Sequence, residues 1–223
     1  MPGAKKGLFR AGALSMMVAG VLVLATLPLI PILIPSLAPS STQSGLQSLQ
    51  SQGLLYEAMW GLYLVSDILY LIAFPALFYA LKYVKRGVVL TAVIFNVVFV
   101  ALDVGLQIPL RLSLVGLSSL YAAAPQASVL ASAQFAVNLS NTAALVATFF
   151  QFFAVILASY PMPKSLAFGR SSAYVGVVTG ILALLFIPAY ALGSPLAGFF
   201  NIAGFAFLAI WSLLVGYRLR KFG

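Results

Sequence analysis

A chain of 223 residues with 63% hydrophobic and only 7% charged residues is not built for water, since soluble domains carry about 25% charged residues. The absence of cysteine and histidine excludes disulfides, thiol redox chemistry, iron–sulfur clusters and the usual zinc, copper or haem ligation, so no cofactor or metal is expected. The net charge of +9 would suit nucleic acid, but its distribution along the chain points to a lipid bilayer and no nucleic-acid partner.

Six apolar runs of about 20 residues, each long enough to cross a hydrocarbon core, cover 11–34, 55–81, 88–110, 139–160, 173–191 and 196–217. The pattern predicts an all-α fold, a polytopic membrane bundle of six transmembrane helices forming one domain over 1–223. The first run follows Lys5, Lys6 and Arg10. It is longer than a signal-peptide core, and cleavage after Ala38 would leave Pro39 first, so it is read as a retained span. Pro28, Pro31 and Pro35 should fray or kink its end. Its few polar residues, Ser15 and Thr26, suggest peripheral packing.

Between the first two runs lies SSTQSGLQSLQSQG (40–53), a polar and uncharged connection. The second and third runs are joined by a short turn containing Lys82, Lys85 and Arg86, which predicts an antiparallel hairpin. The connection SSLYAAAPQASVLASAQ (118–134) is broken by Pro125, and the part beyond it is expected to extend the fourth helix. Asn138-Leu139-Ser140 is a glycosylation sequon in the same region. In the fifth run, Gly176 and Gly180 form a GxxxG pattern, expected to serve close packing within the bundle.

Sorting the basic residues by connection gives the topology. Lys5, Lys6, Arg10, Lys82, Lys85, Arg86, Lys164, Arg170, Arg218, Arg220 and Lys221 fall on one side, and Arg111 alone falls elsewhere. The positive-inside rule then places both termini in the cytoplasm of a plasma membrane. Tyr56, Trp60, Tyr121 and Tyr190 would mark the outer boundary, and Phe9, Tyr83, Tyr160 and Tyr217 the inner one. The uncharged outer connections suit an archaeon or another prokaryote of an acidic or hot habitat.

Only three acids occur, Glu57, Asp67 and Asp103, and all sit in or beside apolar runs. With the hairpin turn centred near residues 84–85, positions equally distant from it share a depth, because both helices rise equally per residue. Asp67 then lies level with Asp103, deep in the membrane, and Glu57 with Arg111 near the outer headgroups, as an outer ion pair. Asp67 belongs to a helical stripe with Trp60, Tyr63, Tyr70 and Phe74, and Asp103 to one with Asn96, Gln107 and Arg111. The candidate buried polar or ion site is therefore Asp67, Asp103, Asn96, Gln107, Tyr63 and Tyr70.

Two facing carboxyl groups in low dielectric do not both carry charge without a cation, so a shared proton or a bound ion is expected. Three readings follow. The acids fix helix register through hydrogen bonds to Tyr63, Tyr70, Asn96 or Gln107, or they serve proton- or cation-coupled transport, or they form an intramembrane aspartyl protease dyad. The protease motifs, Tyr-Asp and Gly-x-Gly-Asp, are absent: the contexts are Ser66-Asp67 and Val100-Ala101-Leu102-Asp103. Gln151, Thr179 and Asn201 are further polar residues within runs, each suited to one interhelical hydrogen bond.

The basic start KKGLFRAGAL, the stretch YLVSDILYLIAFPALFYALKYVKRG and the opening FGRSSAYVGVVTGI of the fifth run make the chain resemble a numbered family of unknown function. That family comprises prokaryotic six-helix integral membrane proteins, and the resemblance implies topology without chemistry. The chain departs from it in having Gln151, not an acid, in the fourth run. No nucleotide motif or nucleophile–base set appears, so the expected function is non-enzymatic. It is an accessory or structural subunit of a membrane complex, with other membrane subunits as partners, or a small-molecule binder. A small transporter using Asp67 and Asp103 is the alternative.

Overall fold

The computed structural model describes residues 2–33 and 42–222, with side chains from Lys6 onward. The expected kink at Pro35, the Ala38–Pro39 step and the Lys5 side chain lie outside the described residues. Every regular element described is helical. Helix α1 (Pro2–Thr26) passes through a 3-10 turn, Leu27–Leu29, into the single turn of α2 (Ile30–Leu33). The expected disturbance at Pro28 is this 3-10 turn: Pro28 has no N–H for the carbonyl four residues back, so the helix tightens.

Helix α3 (Thr42–Leu102) doubles back at Lys85, whose φ of −151° and ψ of 73° leave the helical region. A five-residue π-helical turn, Asp103–Gln107, leads into α4 (Ile108–Ala123). Then come α5 (Ala127–Ser159), α6 (Arg170–Ala191) and α7 (Ala197–Arg220). Five stretches are long and apolar enough to cross a membrane: Lys6–Leu33, Thr42–Ala123, Ala127–Lys164, Arg170–Ala191 and Ala197–Arg220. The second has 82 residues and contains the reversal at Lys85.

The polar segment expected as a connection between the first two runs is helical from Thr42 onward. Its leucines explain why. Leu46 and Leu49 are fully buried, three residues apart, while the serines and glutamines around them keep the other faces wet. The first arm of α3, up to the reversal, is therefore about 64 Å long, against about 33 Å for α6. As expected, the helix after Pro125 is continuous with the fourth apolar run, forming α5.

The helices close into a ring in the order α1, the two arms of the α3–α4 hairpin, α5, α6, α7, and back to α1. The seam between α1 and α7 depends on two glycines: a Cβ on Gly20 would sit 2.9 Å from the Ala209 carbonyl oxygen, and one on Gly216 equally near that of Ala13. Small residues let backbones approach where lipid offers no hydrophobic drive to association. Helix α1 is thus not peripheral as expected; it lies between α3 and α7, with Met16, Ala19 and Thr26 wholly buried. The GxxxG residues pack within the bundle, Gly176 against Ser159 and Trp211 and Gly180 against Ile156.

The apolar interior has two parts. One, towards the basic connections, includes Phe74, Leu77, Phe152 and Trp211. The other gathers Leu46, Tyr56, Trp60, Ile108 and Val137 where the longer helices continue past α6 and α7. Phe205 of α7 touches both, and the polar side chains lie around this junction.

Candidate functional site

Asp67 and Asp103 meet. The hairpin brings their carboxyl groups within hydrogen-bonding reach, with 3% and 6% of their surfaces exposed. The same register places Asn96 against the Tyr70 carbonyl oxygen, which accepts from Asn96 Nδ2 over 3.4 Å, and sets the Ser118 hydroxyl on the Leu46 carbonyl oxygen at 2.6 Å. Asp67 Oδ2 has no hydrogen-bond partner among the described residues.

The tyrosines and Asn96 do not fasten the acids. Tyr70 and Ser212 share a hydrogen bond of 2.9 Å, tying α3 to α7. Tyr63 stands with its hydroxyl beside Thr26 of α1 and its ring edge-on to Phe205 at 6.1 Å. Asn96 is spent on the Tyr70 backbone. Gln107 lines the same cavity as the acids.

That cavity, about 290 Å³, is lined by every long helix of the ring. Its polar lining beyond the acids comes from Gln107, Arg111, Asn141, Thr148, Gln151 and Asn201, and its apolar walls include Phe99, Phe186 and Phe205. Asn141, Thr148 and Gln151 of α5 project at helical spacing onto one face. Asn141 and Thr148 were not singled out in the sequence, although the i, i+7, i+10 spacing with Gln151 was there to be read.

The outer ion pair does not form. Glu57 is exposed, whereas Arg111 is 4% exposed and turned inward. Arg111 Nη2 donates to Asn141 Oδ1, and its guanidinium lies 5.8 Å from the centre of the Trp60 ring. The difference is one of azimuth: Glu57 follows Tyr56, which is wholly buried, so it points about 100° away around the helix.

The π-helical turn has a local cause. Pro109 cannot donate to the Gly105 carbonyl, and the chain accommodates this by pairing the Ile108 N–H with the Asp103 carbonyl five residues back. The wider turn starts at Asp103 and ends at Gln107, so both side chains reach the cavity. Asp103 also feels the positive charge of Arg111.

Two carboxyl groups in contact, away from water, hold either a proton between their oxygens or a cation. The side-chain amides of Gln107 and Gln151 line the same space, and with no histidine or cysteine in the chain an oxygen set suits a hard cation better than a transition metal. Comparison with protein-family models, curated proteins and solved structures found no match.

Proposed function

We propose that the chain is a non-enzymatic membrane protein that binds a small molecule in this cavity, with occupancy linked to a proton or cation at Asp67 and Asp103, as in a coupled transporter. The reading takes the α3–α4 stretch as two spans, giving six in all, in a plasma membrane with both termini cytoplasmic. The grouping of the basic residues at α1, the reversal, the α5–α6 connection and the end of α7 supports that orientation.

One observation carries the reading: two acids in contact, one with an unpartnered oxygen, are among the few polar groups lining a largely apolar cavity that every long helix helps to build. If the acids only held helix register, packing would be expected to close over them. Ionisable residues inside a membrane bundle that face a cavity mark ion and substrate paths.

The test is the melting temperature of the detergent-solubilised protein across pH and across Na⁺, K⁺ and Li⁺. The wild type should respond to pH or to one cation, and Asp67→Asn and Asp103→Asn should fold yet lose that response. Identical profiles for all three proteins would remove the coupling.

A further inference from the structure

The surroundings of Arg111 are unbalanced. Tyr56 Oη, Trp60 Nε1, Arg111 Nε and Arg111 Nη1 are all buried without well-formed hydrogen bonds among the described residues. The Tyr56 hydroxyl lies within hydrogen-bonding reach of both Trp60 and Arg111 without a well-formed bond to either, so one neutral oxygen faces several donors in a single cluster. Three of the four can only donate. Both neighbours of the guanidinium, the Asn141 oxygen to which it donates and the Tyr56 hydroxyl beside it, are neutral, and the acid that feels its charge, Asp103, is engaged with Asp67.

Buried N–H groups left unpaired are costly, and an uncompensated guanidinium more so. What answers such a cluster is an oxyanion, which accepts several hydrogen bonds and matches the planar fork of arginine. The cluster borders the cavity through Trp60, Arg111 and Asn141, and beyond it run the apolar faces of Phe205 and Phe99. We infer that the cavity takes a ligand with an oxyanion head, carboxylate or phosphate, held by Arg111 with the Trp60 indole N–H, the Tyr56 hydroxyl backing both, and with an apolar stem along Phe205 and Phe99. This rests on the proposed reading of the cavity as a binding site and adds the class of ligand.

The chain has two tryptophans, so in a Trp211→Phe variant Trp60 alone fluoresces. The full chain in neutral-lipid nanodiscs is titrated with benzoate and hexanoate, with benzamide and hexanol as uncharged counterparts, and separately with phosphatidylglycerol in the disc. Charge-assisted hydrogen bonds predict saturable emission changes with the oxyanions and binding weaker by about tenfold or more for the uncharged pair. Arg111→Gln should erase that preference. Should it fail to fold, Trp60→Phe keeps the ring and should bind the acids several-fold more weakly, read by thermal shift.

Arg111-dependent binding of the free acids alone identifies a soluble ligand, and of phosphatidylglycerol alone a lipid head; either supports the inference. Equal binding of acid and amide, acid preference that survives Arg111→Gln, or no binding by any probe overturns it. The pH and cation response of Asp67 and Asp103 would still stand or fall separately.

Discussion

Removing the two acids singly and together measures what their contact contributes. Asp67→Ala leaves Asp103 buried with Arg111 as its only opposite charge, and Asp103→Ala leaves Asp67 with no partner for either oxygen. Each single change loses a hydrogen bond across the hairpin, which inside a membrane is worth about 0.6–1.7 kcal/mol, and strands a buried acid. The double change loses the same bond once and strands nothing. The cost of the pair should therefore fall short of the summed single costs by one bond and both stranding costs, about 1–3 kcal/mol, the range for residues in contact. Reversible unfolding in mixed micelles, followed by the fluorescence of Trp60 and Trp211, supplies all four corners of the cycle. Additivity to within about 0.3 kcal/mol would mean that the two carboxyl groups do not interact, and the reasoning about the site would fail.

Glu57→Gln should change stability by less than about 0.5 kcal/mol, because the side chain is exposed and does not meet Arg111; a large loss would restore the ion pair. Tyr70→Phe, which removes the 2.9 Å bond to Ser212, should cost about 1 kcal/mol in the same unfolding assay. Gly20→Leu should cost about 1–3 kcal/mol or prevent assembly, since a Cβ there would stand 3.2 Å from that of Ser212 and force α7 away from α1. A melting temperature unchanged by Gly20→Leu would contradict the α1–α7 seam.

Depth was legible in the sequence because it depends only on counting from a turn. The Lys82–Arg86 segment fixed the reversal, and equal rise on both arms put Asp67 level with Asp103. Azimuth was not, because it needs the exact helical phase. Glu57 and Arg111, level by the same count, turn different ways, and the π-helical turn between Asp103 and Arg111 changes the phase of everything after it. Gly105 and Pro109 were the visible signal of that turn. The helix from Thr42 was hidden by composition: serine and glutamine dominate the segment, and only Leu46 and Leu49 carry its buried face. The role of α1 was hidden for a related reason. Its tight contacts come from glycines, which show no hydrophobic pattern, so the count of polar residues misjudged its position.

The central claim concerns two side chains, and the absence of cysteine makes it directly measurable. With Asp67→Cys and Asp103→Cys in one chain, a short bifunctional thiol reagent applied to native membranes should join them. After tryptic digestion, which cuts at the exposed Lys85 and Arg86, the peptides from the two arms should be found linked by mass spectrometry. A Glu57→Cys and Arg111→Cys pair treated identically should stay unlinked. Linkage of the second pair without the first would contradict the facing of Asp67 and Asp103, and with it the site.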